Sequence, residues 1–417
     1  MQTETTKTIG LSKGLQQADQ KTTLYRILLL ISIVHLFNDT IQAIIPSILP
    51  ILKNKMELSY MQAGAIIFTL NITASILQPP IGLYSDRKRS PYLLPLGMVL
   101  TFIGVLVLAL APSYWMILLS TIFIGIGSAV FHPEASRVAH MAAGKKRGLA
   151  QSIFQVGGNF GQSLASLMTI LIFVPFGQFG AIWFTVVAGS AIGIQLYISS
   201  WYKNRLKLNP PVKKQANTGM SNLNRKRVTL TFVLILFLLF VRTWYHSAIS
   251  VYYPFQLMER FHLSLTQAQI YIFVYGVAVA LGTFFGGPLS DKLGRKNILF
   301  FSMVGTAPFA FLLPHATPFW AFVILIFNGF ILMSGWSVTV VYAQELVPNM
   351  IGTVSGLTTG LSFGLGALGA VALGSLIDAY SLTSILNLVS FLPLIGLLGY
   401  FLPSDQRVKE WSSSSSS

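Results

Sequence analysis

His35, Asn38, Asp39 and Gln42 follow one another at i, i+3, i+4 and i+7. That spacing stacks side chains on one face of a helix. The four lie inside an apolar stretch, and a charge at the centre of a bilayer costs about 3 kcal/mol on insertion scales. The face carrying Asp39 is therefore expected to look into a polar cavity. Burial disfavours a charged carboxylate, so a carboxyl group that one proton can neutralise is a sensible coupling site. Asp39 is read as the proton-coupling residue, with His35 beside it. The competing reading is a structural carboxylate held permanently by a cation.

Arg242 is the matching oddity, mid-way along a second apolar stretch with Tyr245 and His246 close by. An arginine stays charged when buried and forks onto carboxylate or phosphate-like oxygens. Two readings stand open: Arg242 recognises an anionic substrate, or it pairs with Asp39 and ties two parts of the chain together.

Other polar residues interrupt apolar sequence in patterned ways. Gln151, Gln155, Asn159 and Gln162 recur at i, i+4, i+8 and i+11, a stripe suited to substrate oxygens or to hydrogen bonding between helices. Gln151, Gln155 and Asn159, with Asn38, Gln42, His132, Arg242, Tyr245, His246 and Tyr275, form the candidate substrate-binding set. The run His132-Pro133-Glu134 bends a helix, because proline removes a backbone hydrogen bond. Glu134 is expected to pair with Arg87 or Arg137 and hold a gate. Asp86, Asp291 and Arg295 join the gate, the two aspartates capping helix N-termini or neighbouring cations.

The elements that position these residues follow from composition. The chain has 417 residues, 53% hydrophobic and 10% charged, with mean hydropathy +0.67. Soluble domains carry about 25% charged residues, so this is read as a multi-pass membrane protein. Its net charge of +16 is scattered in short clusters between apolar runs, which excludes a basic nucleic-acid-binding face. With no cysteine, thiolate metal sites and disulfides are excluded. There is no nucleophile–base string and no metal-ligand cluster, so no catalysis, metal or cofactor is expected. Gly364-Leu-Gly366-Ala-Leu-Gly369 fits G-x-G-x-x-G but lies within an apolar run with no strand before it, so it is read as helix packing.

Twelve apolar segments of about 20 residues are read as spans, the fifth at 148–174. They give an N-terminal tail (1–23), a first six-helix bundle (24–201), a polar linker (202–228), a second six-helix bundle (229–402) and a C-terminal tail (403–417). Under that assignment 24 of the 28 Lys and Arg fall on the side of the termini, so both termini and the linker are expected in the cytoplasm.

The halves repeat. Gly82-Leu-Tyr-Ser-Asp86-Arg87 is echoed by Gly287-Pro-Leu-Ser-Asp291-Lys292, 205 residues later, and Trp115 by Trp320 at the same offset. Gly148 and Gly352 lie 204 apart, and Pro46 and Pro254 lie 208 apart. Parallel six-span repeats are expected.

These motifs resemble the major facilitator superfamily, whose loop 2–3 signature is matched by Gly287-Pro-Leu-Ser-Asp-Lys-Leu-Gly-Arg295-Lys296. His35-Leu-Phe-Asn-Asp39, Phe131-His-Pro-Glu-Ala-Ser-Arg137 and Gly148-Leu-Ala-Gln-Ser-Ile-Phe-Gln-Val-Gly-Gly-Asn-Phe-Gly161 resemble the bacterial fosmidomycin-resistance transporters. The resemblance implies an all-α membrane fold of two pseudo-symmetric bundles and proton-coupled antiport of a small drug across the bacterial cytoplasmic membrane. A phosphonate drug would offer Arg242 the oxygens it prefers. Uptake of an organic anion with protons uses the same fold and is the alternative. One two-bundle chain suffices for transport, so a monomer is expected.

Overall fold

The computed structural model describes residues 23–58, 60–208 and 222–413. They are helical nearly throughout, and no strand occurs among them. The N-terminal tail to residue 22, the centre of the linker (209–221) and Ser414 to Ser417 lie outside the described residues.

The first half contains α1 (Tyr25–Lys55), α2 (Tyr60–Ile76), α3 (Gln78–Arg87), α4 (Leu93–Leu110), α5 (Tyr114–Ala142), α6 (Arg147–Ser163) and α7 (Trp183–Leu208). The second contains α8 (Asn222–Ser247), α9 (Tyr253–Phe261), α10 (Leu265–Leu293), α11 (Arg295–Val304), α12 (Ala307–Leu312), α13 (Pro318–Ser334), α14 (Trp336–Leu346), α15 (Ile351–Ala379), α16 (Leu382–Val389) and α17 (Asp405–Ser413). Within the expected linker (202–228), α7 continues to Leu208 and α8 begins at Asn222.

Eleven described helical runs are long and apolar enough to span a membrane, against the twelve expected. The shortfall falls on the expected fifth span. There α6 carries the glutamine stripe, and the chain continues through short pieces at Ala165–Met168, Thr169–Phe173 and Val174–Phe176. Polar residues lower its hydropathy, and a turn at Leu164 and a π-helical stretch at Thr169–Phe173 interrupt its regular α-helix.

The buried apolar residues gather by half. One cluster runs from Ile27 to Tyr202, and two others lie between Ile235 and Val408. Large apolar side chains are also exposed, among them Phe68, Trp115, Trp183 and Phe319. Such an exterior suits hydrocarbon rather than water.

Between the halves α6 packs on α10, and α3 packs on α15. Glycine makes both approaches possible. A Cβ on Gly82 would overlap the Gly352 backbone, and one on Gly148 would overlap that of Gly287. The two contacts are the same contact repeated by the pseudo-symmetry.

Candidate functional site

Asp39 is the hub of a buried polar cluster on α1, α5 and α6. Its Oδ1 accepts from Asn38 Nδ2 at 2.9 Å and Gln42 Nε2 at 3.2 Å. Its Oδ2 accepts from Gln162 Nε2 at 3.2 Å. Two imidazoles flank it: His35 Nε2 lies 3.5 Å from Oδ2, and His132 Nε2 lies 3.7 Å from Oδ1. All three ionisable side chains are at most 3% exposed.

The tautomer of His35 follows from its other nitrogen. Nδ1 lies 2.7 Å from the Phe154 carbonyl oxygen. A carbonyl can only accept, so Nδ1 carries a hydrogen. In neutral His35 the Nε2 lone pair then faces the Asp39 carboxylate. A proton on either group turns that repulsion into attraction. The Phe154 ring stacks on His35 at 4.2 Å between centroids, and Phe131 adjoins at 5.5 Å. These rings exclude solvent from one side of the pair.

The backbone of α6 reaches this cluster only because it lacks side chains there. A Cβ on Gly158 would strike His35 Nε2 and lie 2.8 Å from Asp39 Oδ2. Gly157 meets the Ser32 backbone, and Gly161 meets that of Leu36.

One ring nitrogen each of His35 and His132 and one Asp39 oxygen lie within 4.8 Å of one another, close enough to hold a metal ion. The carboxylate, however, is already engaged by three amide N–H donors. Amide nitrogens do not ligate a cation, so the set fits hydrogen bonding and proton exchange better than coordination.

The glutamine stripe is divided among different tasks. Gln162 serves Asp39, while Asn159 Nδ2 donates to Thr283 Oγ1 of the other half at 3.1 Å. Gln151 Oε1 accepts from Ser136 Oγ at 3.4 Å, and Gln155 is buried. In the second half His246 Nδ1 and Tyr275 Oη are 2.9 Å apart with stacked rings. Asn328 donates to Tyr245 Oη at 2.5 Å.

Arg242 does not pair with Asp39 in this conformation. Its Nη1 donates to Gly335 O at 3.0 Å and Thr339 Oγ1 at 2.8 Å, and its Nη2 donates to Ser302 Oγ at 2.7 Å. Those partners lie within the second bundle, one of them on α11, which packs on α10, α13, α14 and the last span. The guanidinium is thus directed into that bundle and away from Asp39. Spacing along one helix reveals a residue's depth, but the lean of a long side chain depends on its neighbours.

The residues read as a gate lie where the repeated motifs meet, and each aspartate caps a helix of the opposite half. Asp86 accepts from Gly352 N at 3.0 Å and from Thr353 N and Oγ1 at 2.7 Å each, at the start of α15. Asp291 accepts from Gly148 N at 3.1 Å and Leu149 N at 3.2 Å, at the start of α6. Charge and dipole both favour this placement.

Arg137 braces the first cap. It bonds Asp86 at 2.6 Å, Glu134 at 3.2 Å and Ser85 O at 2.7 Å. Arg87, the other expected partner of Glu134, is exposed. Arg295 braces the second cap, 3.5 Å from Asp291 and 3.0 Å from Glu345. Arg147 reaches the same Glu345 oxygen across the halves at 3.1 Å. Gln344, bonded to Ser136 and His140, adds another link. The sequence reading passed over Gln344, Ser136 and Arg147, which carry no periodic signal of their own.

Among the described residues, hydrogen bonds join the halves from this end as far as Asn159–Thr283, and none joins them beyond it. The end bearing the motifs is therefore shut.

The pattern of the Major Facilitator Superfamily matches residues 30–368. The chain belongs to that superfamily. It is 45% identical over 388 residues to the fosmidomycin resistance protein of Escherichia coli (strain K12), covering 93% of this chain and 95% of that protein. It is 52% identical over 393 residues to YfnC of Bacillus subtilis (strain 168), an uncharacterized MFS-type transporter, covering 94% and 96%. The proton:xylose symporter XylE superposes with a TM-score of 0.71 at 17% identity, over 94% of this chain and 98% of that one. That last likeness speaks for the fold alone. This superfamily member is thus a multi-pass membrane transporter of two helical bundles.

Proposed function

We propose that this transporter is a proton-coupled exporter of small drugs of the fosmidomycin type, working by alternating access. The observation that carries the coupling is the Asp39 centre. A buried carboxylate faces a histidine whose Nδ1 hydrogen is committed to Phe154 O, so the pair has a place for one proton between Nε2 and Oδ2. His132 provides a second imidazole on the helix that also carries Glu134 and Arg137. Proton occupancy at Asp39 and closure at Asp86 thus share α5.

The shut end, with both termini, is assigned to the cytoplasm on the distribution of Lys and Arg. The conformation is then outward-facing. In it the Asp39 centre takes a proton from outside. Opening of the motif end releases that proton inward and admits substrate, for which Gln151, Gln155, Asn159, His246 and Tyr275 of both halves are the proposed contacts. One proton crossing 100 mV releases about 2.3 kcal/mol, enough for a gradient of about 40–50-fold at 1.4 kcal/mol per tenfold.

The likeness to a fosmidomycin resistance protein supports export of a phosphonate. The test is flux in proteoliposomes of defined orientation under an imposed pH gradient. A phosphonate drug driven against the direction of proton flow supports antiport. Movement together with protons supports uptake of an organic anion instead.

A further inference from the structure

Arg242 is buried to 2% exposure and keeps a full positive charge. Its described hydrogen-bond partners are neutral: a carbonyl and two hydroxyls. Both hydroxyls donate elsewhere, Thr339 to Gly335 O and Ser302 to Leu299 O, so they meet the guanidinium as acceptors. Nε has no hydrogen-bond partner among the described residues, and no acidic side chain among them offsets the charge.

A small cavity adjoins this group. It is lined by Arg242, Thr339, Ile235, Leu238, Leu299 and Leu402, with about 10 Å³ open to the centre of a water-sized body. That is room for about one such body. A buried water needs 2–4 polar partners, and this lining is mostly apolar. A water would also leave the charge uncompensated. Phosphate, sulfate or a phosphonate substrate is too large. Size and charge together call for one small monovalent anion, weakly enough hydrated to rest against leucine and isoleucine.

We propose that Arg242 anchors a chloride site inside the second bundle, distinct from the Asp39 centre. The bound anion would neutralise the guanidinium and stabilise the link of α8 to Ser302 on α11 and its packing on α14. The inference is independent of the substrate and of the direction of transport.

The test is thermal unfolding of the full-length protein in detergent, with chloride compared with gluconate at matched ionic strength. A species that binds only the folded state raises the midpoint saturably, here by about 2–4 °C. The rise should vanish in Arg242→Gln. It should also vanish in Leu299→Phe, which fills the cavity and keeps the guanidinium, so the test survives if the first variant fails to fold. Crystals grown in bromide should show an anomalous peak beside Nε. Equal midpoints in chloride and gluconate, an equal rise in sulfate, or a chloride effect that persists in Leu299→Phe would overturn the site.

Discussion

His35 Nε2 lies 3.5 Å from Asp39 Oδ2 while His35 Nδ1 is held 2.7 Å from the Phe154 carbonyl oxygen. The backbone of α6 thereby dictates which nitrogen of an α1 histidine faces the buried carboxylate. A proton at Asp39 is felt by His35, and a movement of α6 changes the hold on both.

His35→Gln keeps a polar group at the site and removes the titrating nitrogen. Drug flux driven by a pH gradient is expected to fall about tenfold or more, since hydrogen bonds to charged groups contribute about 1.5–3 kcal/mol. Substrate exchange without a gradient should fall much less. Paired measurements of driven flux and exchange in proteoliposomes check this; an equal loss in both would show that His35 only shapes the site.

Gly158→Ala adds one methyl group where His35 Nε2 and Asp39 Oδ2 already stand. Alanine favours a helix interior over glycine by about 1 kcal/mol, so an inert packing position would tolerate or welcome it. Driven transport is expected to collapse while the protein is still made and inserted. Wild-type transport in this variant would mean that the His35–Asp39 contact can shift without consequence.

Arg137→Ala leaves Glu134 buried beside an unbraced Asp86. Removing one partner of a buried pair costs about 3–5 kcal/mol, here charged against the closed motif end. The chain has no cysteine, so Ser136→Cys, buried at that gate, adds a single reporter thiol. Its maleimide labelling should speed up at least tenfold when Arg137→Ala is added. An unchanged rate would separate this cluster from gating.

Asp86→Asn and Asp291→Asn each remove one charged cap from a helix of the other half. The repeat predicts similar effects, yet the second cap has extra support, since Arg147 and Arg295 both bond Glu345. Asp86→Asn should raise labelling of Ser136→Cys more than Asp291→Asn does. The reverse order would place the main latch on the α6 side.

Much of this was legible in the chain. Asp39 with His35, Asn38 and Gln42 announces itself by helical spacing, and the gate by a motif repeated 205 residues apart. His132 could be flagged beside Pro133, but its approach to Asp39 depends on how α5 crosses α1. Gln162 belonged to a stripe that suggested one shared role, whereas the helix rotates its members toward different neighbours. Arg242 was visible as a charge in an apolar run, yet its direction was set by Ser302 and Thr339, 60 and 97 residues away. The fifth span was legible as one stretch, but the turn at Leu164 and the π-helical Thr169–Phe173 that interrupt its regular helix carry no signal in the sequence.

The most direct test of the account is proton-driven export compared with substrate exchange in Asp39→Asn. The neutral amide keeps the size of the side chain and cannot release a proton. The account predicts that gradient-driven accumulation disappears while exchange of phosphonate across the vesicle membrane continues. Driven export at the wild-type rate in that variant would contradict it and remove Asp39 from the path of the proton.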